Sequence, residues 1–316
     1  MSKPKVYVTR RVPVDGLELL KRKCEVQIWD VDEVIPRKTL LENVKGINGI
    51  FCLITETIDA EFLDAAGPDL RVVATMSVGT DHIDLKECKK RGVFVSNTPD
   101  IASDSAADLT MALVLMTTRR LVEGVDAVRQ GQWTHWKPMW LCGSNMMSKT
   151  IGILGFGRVG FGVARRLKPF GVKEIIYNDI RPHEFAKDIA TFVSFDEILE
   201  KSDIICICCA LTSLTKGLFN QSTFKKMKMK PVLINTSRGG IVQLDDLHNA
   251  LTSGQISAAG LDVTEPEPLP SDHPLVSLPN CVILPHMGTN TNEARKSMSI
   301  NTAKNILAVL DLTDSD

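Results

Sequence analysis

The stretch KTIGILGFGRVGFGVARRL, residues 149–167, constrains the fold more than any other. It opens on a strand, Ile151 to Leu154, turns through Gly155, Gly157 and Gly160, and runs on as a helix. In G-x-G-x-x-G placed between strand and helix, each glycine has its own task. Gly155 permits the tight turn, Gly157 lets a pyrophosphate approach the backbone, and Gly160 lets the helix pack on the strand. The unpaired N–H groups at the helix start then attract phosphate. A β-turn-α unit of this kind needs a parallel sheet on which to lie.

The remaining segments fit such a sheet. KVYVTR reads as a strand and VDGLELLKRK as a helix with Leu17, Leu19 and Leu20 among its apolar positions. CEVQIWD, INGIFCLI, LRVVATMSVG and GVFVSN follow as β-rich runs separated by helical ones. The rhythm changes at SDSAADLTMALVLMTTRRLVEGVDAVRQG, a long helical stretch with one break, for which Ser103 or Asp104 is the expected N-cap. The loop after it gathers Trp133, Trp136 and Trp140. At Lys149 a second βαβ series starts and reaches about residue 288, and NEARKSMSINTAKNILAVL closes the chain as a helix. The expected class is α/β, with two doubly wound parallel sheets of different size.

Bulk properties exclude several functions. With 316 residues and 44% hydrophobic content, two cores can be buried. A net charge of −1 argues against a nucleic-acid binder. The basic run FKKMKMK at 224–230 reads as a solvated helix end. MSKPKVYVTRR lacks the apolar core of a signal peptide, and no apolar run reaches the ~20 residues that span a bilayer. The eight cysteines show no metal-ligand spacing, and Cys206, Cys208 and Cys209 in DIICICCAL read as small apolar residues of a buried strand. Free thiols fit a reducing compartment, and the cytoplasm is expected.

Four further strand ends carry polar groups. EIIYND ends in Asp179, about 20 residues beyond the glycine loop, where a carboxylate accepts hydrogen bonds from ribose hydroxyls and repels a 2′-phosphate. NAD(H) is therefore favoured, while Arg181 leaves NADP(H) open. PVLINTSRGG puts Arg238 just beyond a strand, AAGLDVTEPEPLP puts Asp262 at another, with Glu265 and Glu267 in the loop, and VILPHMG, read as a short buried strand, delivers His286. In an open α/β sheet, ligands sit at the carboxyl ends of the strands. A 2-keto acid presents a carboxylate beside a carbonyl; arginine can bind both, and histidine can supply the proton that reduction requires. A neighbouring carboxylate stabilises the imidazolium form.

These motifs, GFGRVG, INTSRGG, GLDVTEPEPL and LPHMG, resemble those of the D-isomer-specific 2-hydroxyacid dehydrogenases along nearly the whole chain. Within that family MSVGTDHID, WTHWKPMWLCG, RRLKPFGV and HPLVSLPNCVILPHMG are similar to the glyoxylate/hydroxypyruvate reductases of animals. The resemblance implies Arg238 as substrate-binding and polarising residue, Glu267 rather than Glu265 as the acid paired with histidine, and His286 as proton donor. It implies substrate contacts from Ser77, Val78 and Gly79 through backbone N–H groups, and from Trp136 reaching into a partner subunit. Cofactor contacts fall to Gly155, Gly157, Arg158, Val159 and Gly160, and then to Asp179, Thr236, Gly288 and Asp262, which would contact the nicotinamide end or help orient the catalytic network. It further implies a discontinuous substrate-side domain, residues 1–103 with 290–316, a dinucleotide-binding domain, 104–289, an active site between them, and a homodimer.

The implied reaction is NAD(P)H-dependent reduction of hydroxypyruvate to D-glycerate and of glyoxylate to glycolate, with a small 2-keto or 2-hydroxy acid as the only ligand besides the cofactor. Two departures stand out. Animal reductases carry a small residue and arginine where this chain has Asp179-Ile180, and Ser-Ala is usual where it has Thr289-Asn290 in TNTNEAR. An NAD-sensing corepressor of the same fold is the alternative from another class, but this chain shows none of the tails of those proteins. D-3-phosphoglycerate dehydrogenase usually brings regulatory domains for which there is no room, and the formate dehydrogenases carry glutamine at the position of Glu267.

Overall fold

The computed structural model describes residues 3–312. The chain divides into two compact units, Met1–Ala102 with Asn290–Asp316, and Ser103–Thr289.

The first unit alternates β1 (Lys5–Val8), α1 (Val14–Lys23), β2 (Glu25–Ile28), α2 (Arg37–Asn43), β3 (Gly49–Cys52), α3 (Ala60–Ala66), β4 (Val72–Thr75), α4 (Leu85–Lys90) and β5 (Phe94–Ser96). The C-terminal helix, Asn292–Val309, packs along α1. Five parallel strands lie in the order β2-β1-β3-β4-β5. The period of two in each strand feeds two cores. Val6 and Val8 join Leu17, Leu20, Met298 and Ile306 on one face, and Tyr7 joins Leu40, Phe62 and Leu63 on the other. Asp59 and Asp84 cap α3 and α4 through their carboxylates, which sets where those helices begin.

The second unit opens with α5 (Ser103–Thr118) and α6 (Leu121–Arg129). The expected break falls at Arg120, whose φ of 56° ends one helix before the next starts. The N-cap expectation fails, because Ser103 and Asp104 are already helical and the chain enters α5 from buried Ala102. Next come β6 (Thr150–Leu154), α7 (Arg158–Leu167), β7 (Glu174–Asn178), β8 (Thr191–Phe192), α8 (Phe195–Lys201) and β9 (Ile204–Ile207). They are followed by α9 (Gln221–Lys225), β10 (Val232–Asn235), α10 (Leu244–Thr252), β11 (Ala258–Leu261) and β12 (Cys281–Ile283).

The seven strands run β12-β11-β10-β9-β6-β7-β8, all parallel, so their carboxyl ends share one edge. The order reverses beside β6, the switch point at which open α/β sheets hold ligands. Ile204 and Cys206 point into one core and Ile205 and Ile207 into the other.

Two local expectations need correcting. The strand before His286 is an edge strand and only half-buried, since β11 flanks it on one side alone. Cys208 and Cys209 lie beyond the end of β9 and are partly buried, whereas Cys206 is fully enclosed. No helix among the described residues is long and apolar enough to cross a membrane.

Candidate active site

The glycine loop starts where β6 ends. Gly155 takes a φ of +85°, and a Cβ on it would stand 2.5 Å from the Cys209 nitrogen, so only glycine fits the turn. A Cβ on Gly160 would meet the Gly155 carbonyl oxygen at 2.2 Å, which ties the start of α7 to the loop. At Gly157, by contrast, a Cβ would find nothing within 4 Å. That open ground lies directly before the first turn of α7 (Arg158, Val159), where helix N–H groups and dipole attract anions. Asp179, one residue past β7, accepts from the Phe156 N–H at 2.7 Å and from the Ile180 N–H at 2.7 Å. Open backbone at a helix start with a carboxylate beside it fits a nicotinamide dinucleotide. Burial pushes the neighbouring Cys209 thiol up to about 11, so it stays protonated at neutral pH.

The ends of β10, β11 and β12 build a second group. Asn235 closes β10, is fully buried, and organises the turn that follows. Its Oδ1 accepts from the Ser237 N–H (3.1 Å) and hydroxyl (2.9 Å), and its Nδ2 donates to the Arg238 carbonyl (2.9 Å). Thr236 shares a hydroxyl hydrogen bond with Thr110 of α5 at 2.7 Å. Gly239 then passes so close to the backbone of the next loop that a side chain would collide, and Gly240 faces the flexible end of Glu265. A Cβ would meet the Thr264 carbonyl carbon at 2.0 Å and Glu265 Oε2 at 2.2 Å. These two glycines press the arginine turn onto the acid-bearing loop.

Asp262, after β11, is 1% exposed. Its carboxylate accepts from the N–H groups of Met287 (2.6 Å) and Gly288 (2.8 Å), and its carbonyl accepts from the His286 N–H (2.9 Å). Burial pushes its carboxyl up, against the opposing pull of those two N–H bonds. His286 itself sits at φ +54°, a left-handed conformation that the Asp262 bonds hold in place. Its Nδ1 lies 2.5 Å from Glu267 Oε1, which leaves Nε2 as the other ring nitrogen. Burial pushes the Glu267 carboxyl up, but the hydrogen bond and charge of His286, with a further contribution from Arg238, leave it below the usual carboxylate range. Glu265 faces Gly240 instead.

In the first unit, Ser77–Gly79 follows β4 as a fixed loop. The Ser77 carbonyl accepts from the Thr98 N–H and hydroxyl, the Val78 carbonyl from Asn97, and the Gly79 carbonyl from the Ser77 hydroxyl. Trp136 is 80% exposed and Trp133 64%, while Trp140 carries the Lys137 ammonium over its ring at 4.7 Å. Sequence reasoning did not single out Asn235, Gly239, Gly240 or Thr264. A buried asparagine followed by T-S-R-G-G at a strand end was the available signal.

Comparisons with known proteins identify the family. The profile of the D-isomer specific 2-hydroxyacid dehydrogenase NAD binding domain matches residues 111–288. The glyoxylate reductase/hydroxypyruvate reductase of Homo sapiens is 52% identical, over 97% of this chain and 94% of that protein. A crystal structure of a Thermus thermophilus protein superimposes with a TM-score of 0.91 at 38% identity, over 97% of each chain. That of an NADPH-dependent glyoxylate/hydroxypyruvate reductase from Sinorhizobium meliloti, solved with NADP and malonate, gives 0.86 at 30%, over 99% and 96%. With a profile covering more than half of its length and a relative this similar from end to end, the chain belongs to the D-isomer specific 2-hydroxyacid dehydrogenases.

Proposed function

We propose that the protein reduces small 2-keto acids, hydroxypyruvate to D-glycerate and glyoxylate to glycolate. The observation that carries this reading is the His286–Glu267 pair at 2.5 Å, held beside Arg238 in a chain 52% identical to a glyoxylate/hydroxypyruvate reductase. When bound, the nicotinamide supplies the hydride for the carbonyl carbon. His286 delivers a proton from Nε2 to the carbonyl oxygen, and Glu267 holds the imidazole through Nδ1 and stabilises its charged form. Arg238 binds the carboxylate and polarises the ketone. Backbone N–H groups of Ser77, Val78 and Gly79 hold the same carboxylate. Asp262 fixes the His286–Gly288 loop through one N–H bond to each carboxylate oxygen.

The dinucleotide is held by Gly155, Gly157, Arg158, Val159 and Gly160 at its pyrophosphate, by Asp179 at the adenosine ribose, and by Thr236 and Gly288 toward the nicotinamide. Asp179 favours NAD(H), because its fixed charge opposes a 2′-phosphate. The protein works as a homodimer. Val125, Val128, Trp133, Trp136 and Met139 leave between 49% and 84% of their surfaces exposed on α6 and the loop after it, apolar side chains that a partner subunit would cover. Trp136 contributes from that face to the partner's substrate site. Eight free cysteines fit a cytoplasmic protein.

The test is the initial rate of cofactor oxidation with glyoxylate and hydroxypyruvate, each with NADH and NADPH, with pyruvate and phosphohydroxypyruvate as controls. Fast turnover of hydroxypyruvate supports the proposal. Tight NADH binding without turnover of any acid would sink it.

A further inference from the structure

Asp179 does not stand alone. Its Oδ2 accepts the Phe156 N–H at 2.7 Å and also lies 3.2 Å from His183 Nε2. His183 is itself fixed. Its backbone N–H donates to the Tyr177 hydroxyl at 2.8 Å, its ring stacks on Phe185 with centroids 4.9 Å apart, and its side chain is only 21% exposed. Tyr177 stacks in turn on Phe156, centroids 4.1 Å apart. The four residues close a circuit. Phe156 of the glycine loop touches Tyr177, Tyr177 holds His183, His183 holds Asp179, and Asp179 returns to the Phe156 N–H.

The circuit loads the two carboxylate oxygens differently. Oδ2 receives the Phe156 N–H and faces the imidazole, whereas Oδ1 receives the Ile180 N–H alone. An ionised carboxylate has about four lone-pair sites, so Oδ1 keeps the larger capacity for a ribose hydroxyl. An unrestrained aspartate could turn away from a 2′-phosphate and leave it to exposed Arg181. His183 adds a side-chain restraint at Oδ2 to the two backbone N–H bonds, and an aspartate held in this way keeps its charge in place.

We propose that His183 is a positioning residue for cofactor choice, holding Asp179 in the orientation that accepts a free adenosine ribose and rejects a 2′-phosphorylated one. The inference rests on the reading of Asp179 as the residue that opposes NADP(H). It concerns the residue that restrains this acid, four positions further along the chain.

The experiment measures binding of 5′-ADP and 2′,5′-ADP to the full chain by calorimetry, alongside Kd for NADH and NADPH. His183→Phe keeps a ring in the stack but offers Asp179 no donor. The ratio of 2′,5′-ADP to 5′-ADP dissociation constants should fall about fivefold or more, at least the net worth of one ordinary hydrogen bond. His183→Gln, which places an amide N–H near the position of Nε2, should restore most of the ratio. The change should appear in dinucleotide Kd and KM rather than in kcat. If His183→Phe does not fold, His183→Leu is measured in its place. Asp179→Ser is the control for the underlying reading. If it collapses the ratio while the His183 variants leave it at the wild-type value, the role of His183 is overturned and that of Asp179 stands. If Asp179→Ser leaves the ratio unchanged, both are overturned.

Discussion

His286 and Glu267 stand 19 residues apart in the chain, and Nδ1 of the one meets Oε1 of the other at 2.5 Å. The contact joins the loop after β11 to the turn after β12, two neighbouring parallel strands. It leaves Nε2 as the ring nitrogen that Glu267 does not engage. His286→Ala should lower kcat by about 10²–10⁴, the usual worth of a positioned acid, with NADH affinity within about twofold of wild type. Glu267→Gln keeps a group that can hydrogen-bond Nδ1 but withdraws its charge. Its kcat should fall less than that of His286→Ala. Stopped-flow rates and fluorescence titration with NADH read both effects. An unchanged kcat in Glu267→Gln would remove Glu267 from this role.

Glu267 also makes a prediction about stability. Burial would raise its folded carboxyl, but the hydrogen bond and charge of His286 outweigh that and hold it below the ordinary value of 4.5. A depressed acid contributes stability that is complete above its unfolded value and is lost as pH falls through the folded one. Wild type should therefore exceed Glu267→Gln in Tm at pH 6–7, and the gap should close as pH drops below about 4.5. The side chain is 37% exposed, so solvent screening keeps the gap small. Thermal unfolding followed by circular dichroism at several pH values measures it. A gap that widens toward acid pH would contradict the assigned charge state.

Two loop glycines should separate folding from binding. Gly160→Ala places a Cβ 2.2 Å from the Gly155 carbonyl oxygen, a backbone atom that cannot step aside cheaply. Overpacking of that kind costs about 1–3 kcal/mol, or about 3–10 °C in Tm for a unit of this size. Gly157→Ala meets nothing within 4 Å, and its φ of −72° suits any L-residue. Its Tm should stay within about 2 °C of wild type, while NADH affinity drops about tenfold, or 1.4 kcal/mol. Equal losses of Tm in both variants would show that the space over Gly157 is not kept for a ligand.

The contrast between these glycines marks what a sequence can disclose. G-x-G-x-x-G after Ile151–Leu154 announces its own context, because strand, turn and helix are contiguous. The span Val14–Lys23 is legible as a helix for the same reason, its apolar face recurring every three or four residues. Asp179, Arg238, Asp262 and His286 stand out as polar groups at the ends of apolar runs. What could not be read are contacts across the sheet. The carboxylate of Asp262 on the N–H groups of Met287 and Gly288, 25 and 26 residues on, follows from the β11–β12 register. The half-buried state of β12 depends on its place at the edge, which no local pattern encodes. α5 already includes Ser103 and Asp104, so neither stands at its cap.

Arg238 and Asn235 give the last prediction, in which one residue acts on substrate and the other through it. Arg238→Lys keeps the charge but loses the planar fork, so kcat/KM for hydroxypyruvate should fall about 10–100-fold, the loss of 1.5–3 kcal/mol expected for a charge-assisted pair. Asn235→Ala leaves Arg238 intact but removes the two anchors that shape its turn, the acceptor for Ser237 and the donor to the Arg238 carbonyl. Its effect should be smaller and fall mainly on KM for the keto acid, because the guanidinium is present but loosely aimed. Added guanidinium ion distinguishes the two. It should restore part of the activity of Arg238→Ala by occupying the vacated place, and none of that of Asn235→Ala, where the place is still filled. If guanidinium rescued Asn235→Ala as well, the asparagine would not be acting through the position of Arg238.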